Sequence, residues 1–329
     1  MVDLQKLFES FATLRIGVVG DIMLDTYIWG KVERISPEAP VPVVSFDRKE
    51  YRIGGAGNVG INCKSLGSLV SMISVTGDDA DGILLSELLY SNNIDTSYVI
   101  KSPGRITTSK TRIISRNQQM MRLDAETTND LSKEEEIKLL EKISEFISTA
   151  DPSIIILQDY NKGVLTEKVI SETIRLCKQA GVVVAADPKR KNFFAYRGVD
   201  IFKPNLSEVK TGLNLILEGT TIDSLRNIDK ELKEILHHKI SLITLSDKGI
   251  FYADGEKSSI IPAHIRSIAD VSGAGDTVIA VASMVYAVTG NCHLMAEIAN
   301  IAGGLVCEEV GTATISTEAL LRECELLLS

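Results

Sequence analysis

Paired cysteines are missing from this chain. Cys63, Cys177, Cys292, Cys307 and Cys324 lie far apart, no C-x-x-C occurs and the total is odd. That argues against a disulfide framework or a zinc site and fits a reducing cytosol. The four histidines show no H-E-x-x-H or similar metal spacing, and adjacent His237 and His238 read as surface residues at a helix end. Positive charge is also short. A net charge of −9 denies the chain the basic face that a nucleic-acid partner needs, although a few local Arg and Lys can still serve a small anion. Met1 to Leu14 carries Asp3, Lys6 and Glu9 and so has no signal-peptide core. The longest nearly apolar run, Thr277 to Thr289, is too short to cross a bilayer and reads as a buried helix. These absences predict a cytoplasmic protein without membrane insertion or nucleic-acid binding.

What is present is an ordinary globular composition, 44% hydrophobic and 24% charged over 329 residues, enough chain to bury a full core. Short apolar runs at Arg15 to Gly20, Ser71 to Val75, Ile154 to Leu157, Val182 to Ala186, Ile201 to Phe202 and Leu242 to Leu245 read as buried strands. Helical patterns lie between them. The clearest starts with the capping box Ser132-Lys133-Glu134-Glu135 and continues through Leu139, Leu140, Ile143, Phe146 and Ile147. Strands alternating with helices predict an α/β fold with a mainly parallel sheet covered on both faces. Residues 22–50 and 103–123 break the rhythm with strand-like alternation and predict a small β-sheet lid inserted in two pieces. The segments 1–21, 51–102 and 124–329 then form the α/β body. No tandem repeat or low-complexity linker argues for a cleaner division.

Asp270-Val271-Ser272-Gly273-Ala274-Gly275-Asp276-Thr277 leads into the apolar helix. Three small residues allow a tight turn whose N–H groups point to one spot, at the positive end of a helix dipole. Such a spot suits a phosphoryl group. A carboxylate beside it at Asp276 needs a task, and accepting the proton of an attacking hydroxyl is one. A plain N-terminal cap explains the same Asp equally well. A P-loop is absent, and Gly17-Val18-Val19-Gly20-Asp21 lacks the G-x-G-x-x-G of dinucleotide-binding dehydrogenases.

With this turn, and with Asn205-Leu206-Ser207-Glu208 upstream, the sequence resembles the ribokinase-like (PfkB) carbohydrate kinases. Further matching stretches are Val19 to Asp25, Arg34 to Val43, Gly54 to Val59, Ser115 to Gln119, Asp159 to Gly163, Asp187 to Lys189 and Lys203 to Glu208. They run in order along nearly the whole chain. Arg34-Ile35-Ser36-Pro37-Glu38-Ala39-Pro40 and Ser115-Arg116-Asn117-Gln118-Gln119 are narrower and resemble the branch acting on D-glycero-D-manno-heptose 7-phosphate. Gly57, Ser272 and Gln158 depart from the pattern without removing a charge or the base.

The resemblance implies a three-layer ribokinase-like sandwich with a β lid. It implies transfer of the ATP γ-phosphate to the anomeric O1 hydroxyl, giving the 1,7-bisphosphate in ADP-heptose and lipopolysaccharide core synthesis. Asp276 is then the base, and Gly273, Ala274 and Gly275 hold the phosphoryl group. Asn205, Leu206, Ser207 and Glu208 lie at the ATP phosphates, with Glu208 organising Mg²⁺ through water, although Asn205 and Glu208 also read as a capping box. Thr244, Ser246, Asp247 and Gly249 form a turn near the nucleotide. Asp25, Gly54, Gly55, Asn58, Gln118 and Asp159 are candidates for the sugar, and Arg112, Arg116 and Lys162 for its phosphate. The implied second activity, a nucleotidyltransferase, is expected from a separate protein, and the exposed lid predicts a homodimer. A kinase of ribose, fructose or a nucleoside, a silent binding regulator and a dehydrogenase remain as alternatives.

Overall fold

The computed structural model describes residues 3–116, 118–216, 219–264 and 266–328. Its main sheet has nine strands: β1 (Arg15–Gly20), β4 (Leu69–Gly77), β5 (Asp95–Ser102), β8 (Ile154–Gln158), β9 (Val183–Asp187), β10 (Ile201–Phe202), β11 (Ile240–Thr244), β12 (Ile250–Ala253) and β13 (Ser258–Ile261). Their order is β13-β12-β11-β10-β9-β8-β1-β4-β5, parallel except for the antiparallel β11-β12-β13 edge.

Alternating side chains divide the interior into two cores, as a sheet covered on both faces requires. Ile16, Val18, Ile154, Ile156 and Leu242 face one way, against α1 (Leu4–Ser10), α2 (Ala56–Ser65), α3 (Ala80–Ser91), α8 (Ala274–Thr289), α9 (Cys292–Val306) and α10 (Thr317–Leu327). Val19, Ile155, Leu157 and Ile243 face the other way, against α4 (Lys133–Ala150), α5 (Glu167–Ala180), α6 (Leu206–Gly212) and α7 (Ile222–Leu236). The expected capping box opens α4, with Ser132 and Glu135 bonded reciprocally.

The expectation of a surface His238 is overturned. His237 ends α7 in a left-handed conformation, which turns the next side chain inward. His238 is buried against Phe202 with Nε2 2.6 Å from Ser241 Oγ, and burial pushes its pKa down to about 3. It is a neutral core residue.

The small sheet has the order β3-β2-β6-β7, built from β2 (Ile22–Ile35), β3 (Pro42–Gly55), β6 (Ser109–Ser115) and β7 (Gln118–Ala125). Its register sorts the two faces. Arg52, Asp25, Lys110 and Asp124 lie in one cross-strand row, while Ile28, Ile113 and Met121 lie together on the opposite face. One face is therefore charged and the other mainly apolar, with Lys49 beside Ile28. No described helix is long and apolar enough to cross a membrane.

Candidate active site

The functional groups gather at the carboxyl ends of the parallel strands, where open α/β sheets bind ligands. Asp21 follows β1, Gln158 ends β8, Asp187 ends β9, Lys203 follows β10 and Thr244 ends β11. Above them stands the N-terminus of α8. Gly273 caps that helix at φ +82°, a conformation that favours glycine, and a Cβ there would lie 2.8 Å from Asn58 Nδ2. The N–H groups of Gly275 and Asp276 have no acceptor among the described residues, whereas Ala274 N–H donates to Val271 O at 3.3 Å. Two first-turn amides are thus left for an anion.

Asp276 is buried and held by three donors. Asn58 Nδ2 lies 2.8 Å from Oδ2, while Tyr160 Oη at 2.6 Å and Gln158 Nε2 at 3.1 Å both reach Oδ1. Burial pushes its pKa up to about 6, and the bonds from Asn58 and Tyr160 oppose that rise. Asp187, 2.9 Å from buried Lys203, also accepts from Gln158 Nε2 at 3.1 Å. Lys189 sits 2.5 Å from Glu208 Oε1 and over the Tyr160 ring. Its neighbouring carboxylates hold its pKa above the usual lysine value despite burial.

A cavity of about 530 Å³ opens beside Ala274 and Gly275. Asn205, Leu206, Ser207, Thr244, Ser246, Asp247 and Gly249 all line it, together with apolar Ile250, Ile268, Val271 and Val278. Glu208 lies beneath this lining. Its backbone N–H donates to Asn205 Oδ1, and its Oε2 accepts from Asn205 N–H at 2.8 Å. The capping box is therefore present, directly after Ser207 of the cavity lining.

On the lid side, Asp25 is buried and paired with Arg112. Gly54 permits that approach, because a Cβ there would stand 2.3 Å from Asp25 Oδ2. Gly55 carries the chain into α2 at φ +60°. Asn58 then places its amide on Asp276, so its nearest partner is the carboxylate. Lys162 pairs with Glu126 at 2.8 Å. Asp159 turns inward, accepting from Tyr196 Oη at 2.8 Å and Asn161 N–H at 2.7 Å, and burial raises its pKa to about 6. Each of its oxygens thereby accepts one bond from the chain, within the protein interior. Arg116 and Gln118 are exposed at the β6–β7 turn, and among the described residues neither hydrogen-bonds to the groups around Asp276. Asn117 lies outside the described residues.

Several groups escaped the sequence reading. Gln158, Tyr160, Asp187, Lys189 and Lys203 were legible only as neighbours in short stretches at strand ends. Asp21 organises the β8 loop, accepting from the N–H groups of Tyr160, Lys162 and Val164 at 2.8, 3.1 and 3.0 Å. Lys110 has no ion-pair partner among the described residues and lies over the Tyr160 ring, with burial lowering its pKa.

A nucleotide-sized cavity, free amides at a helix start and a buried carboxylate beside them are the parts of a phosphoryl-transfer site on a doubly covered sheet. Residues 14–319 match the family model described as pfkB family carbohydrate kinase, and the chain belongs to that family. It is 38% identical over 323 residues to the bifunctional protein HldE of Geotalea uraniireducens, covering 98% of this chain and 65% of that one. With the bifunctional protein HldE of Campylobacter fetus subsp. fetus it shares 40% identity over 299 residues, covering 91% and 64%. The chain thus spans just under two thirds of these relatives' length. Phosphofructokinase-2 from Escherichia coli in complex with potassium superposes with a TM-score of 0.80 at 19% identity, covering 96% of this chain and 100% of that one. Arabidopsis thaliana ribokinase complexed with ribose and ATP gives 0.73 at 18%, covering 94% and 98%. At such identities the likeness is one of fold, and it agrees with the expected ribokinase-like sandwich and lid.

Proposed function

We propose that this chain transfers the γ-phosphate of ATP to the anomeric O1 hydroxyl of D-glycero-D-manno-heptose 7-phosphate, giving the 1,7-bisphosphate. The observation that carries the reading is Asp276, a buried carboxylate in the same helical turn as two amides without acceptors. In the reaction the O1–H bond breaks toward Asp276 and the O1–Pγ bond forms. The bond from Pγ to the β-phosphate oxygen breaks, and ADP departs with that electron pair. The amides of Gly275 and Asp276 stabilise the charge on the moving group without reorganising. Lys189 and Lys203 add positive charge at the same end.

Glu208 suits Mg²⁺ held through water, since each of its oxygens accepts one bond within the chain and keeps a lone pair. No described cluster of three or more His, Cys, Asp or Glu offers a direct cage. When bound, the ion neutralises phosphate charge.

The heptose phosphate is favoured by the narrow stretches Arg34 to Pro40 and Ser115 to Gln119 and by the lid cations. Arg112 and Lys162 already have carboxylate partners, so Lys110 is the lid cation best placed to meet a substrate anion. A kinase of a free sugar is the second reading, and the same two carboxylate pairs favour it. ATP turnover with heptose 7-phosphate and with free ribose or fructose separates the two. Lys110→Met is expected to raise KM for the phosphorylated sugar about 10-fold or more and leave KM for ATP alone. Higher kcat/KM for a free sugar would falsify the assignment. A cytoplasmic location, a role in lipopolysaccharide core synthesis and a homodimer joined through the apolar lid face belong to the same proposal.

A further inference from the structure

The Asp276 carboxylate offers about four in-plane acceptor positions. Three are taken: one on Oδ2 by Asn58, and two on Oδ1 by Gln158 and Tyr160. Oδ1 is therefore full, and the free position is on Oδ2. The phenol of Tyr160 can only donate here, because burial and the surrounding carboxylates raise its pKa well above the usual value. The Gln158 amide is oriented by two acceptors, with Nε2 3.1 Å from both Asp187 Oδ2 and Asp276 Oδ1, while Oε1 has no partner. Tyr160 itself is fixed from its backbone by Asp21 and from its ring faces by Lys110 and Lys189.

We infer that Tyr160 is a positioning residue that keeps Asp276 ionised and directs the acceptor hydroxyl to Oδ2, on the Asn58 side. The inference rests on the reading of Asp276 as base. Its physical content is a competition. Burial favours the neutral acid, and a hydrogen bond to the ionised form favours the carboxylate. The other charges facing Asp276 are Asp187 at the end of β9, which opposes ionisation, and Lys203 after β10 and Lys189 after β9, which support it. Asp25 of the lid faces the phenol and also disfavours its ionisation. With burial already raising the base to about 6, losing one donor carries it into the working range of a cytosolic enzyme. Tyr160 thus sets the acid limb of the pH profile without touching the transferred group.

The test is the pH dependence of kcat/KM for wild type, Tyr160→Phe and Asp276→Asn. Wild-type activity rises through pH 6 as Asp276 loses its proton. Tyr160→Phe is expected to move that limb upward by about one pH unit, lowering activity at pH 6 about 5-fold and recovering it near pH 8. Replacing Tyr160 by a fluorotyrosine, a stronger donor of nearly the same shape, moves the limb downward and serves if the Phe variant folds poorly. A second readout needs no substrate. The carboxyl ¹³C signal that disappears in Asp276→Asn titrates at higher pH in Tyr160→Phe. Coincident limbs and coincident titrations in the Tyr160 variants overturn the inference and leave the base intact. Activity retained within a few-fold in Asp276→Asn overturns the base itself.

Discussion

The ammonium of Lys203 lies 2.9 Å from Asp187 Oδ2, and both side chains are almost wholly enclosed, at 3% and 4% exposure. The pair is the electrostatic floor of the site, joined to Asp276 through Gln158. Losing Lys203 leaves buried Asp187 with only the longer contact to Lys189 Nζ at 3.6 Å, at a cost of up to roughly 3–5 kcal/mol. Lys203→Met is expected to lower the unfolding free energy from denaturant titration by up to that amount, and Lys203→Met with Asp187→Leu to recover much of it. Equal stability in the single and double variants removes the pair from the account.

Asp276 makes stability depend on pH in a definite direction. Its folded pKa is about 6, above the ordinary 3.8, so the protonated acid is the form the fold favours. That contribution is complete below pH 4 and lost as pH rises through 6. Asp276→Asn removes the titration. Whatever constant offset the variant carries, its unfolding free energy gains on wild type by up to about 3 kcal/mol between pH 4 and 7. A flat difference across that range contradicts a buried, ionising base.

Gly54 is a steric condition for the lid pair. In Gly54→Ala the new methyl meets Asp25 Oδ2 and displaces the carboxylate from Arg112. KM for the sugar is expected to rise about 10-fold or more, as for loss of a charge-assisted contact, with KM for ATP unchanged. An equal rise for both substrates places the defect in the fold instead.

Apolar residues on the outer lid face supply the surface proposed for pairing of two copies, with Met121 53% and Leu123 58% exposed. Light scattering is expected to give about twice the 35.8 kDa chain mass for wild type, and the single mass for Met121→Asp. A wild-type monomer removes the proposal.

Much of this was legible because it is local. Apolar runs gave the strands, the reciprocal caps at Ser132 and Asn205 gave helix starts, and the small residues 273–275 gave the turn. Two stretches singled out locally also meet in space, since Asn205, Leu206 and Ser207 line one cavity with Thr244, Ser246, Asp247 and Gly249. What escaped depends on register across strands. Gln158 and Asp276 are 118 positions apart, and nothing in either neighbourhood announces their bond. Asp159 and Tyr160 are adjacent, yet one turns into the core and the other to Asp276, a choice made by Asp21 gripping the loop. His238 shows the same limit at a helix end, where one left-handed residue decides between solvent and core.

One continuity in the backbone has a wider reach. β3 ends at Gly55 and α2 begins at Ala56, so the cover of the cleft runs without a loop into the helix that carries Asn58. Tilting the cover therefore turns the amide that grips the Asp276 carboxylate. The two are geared together, and a lid transplanted from a cousin with a differently pitched third strand would arrive with its gearing out of phase.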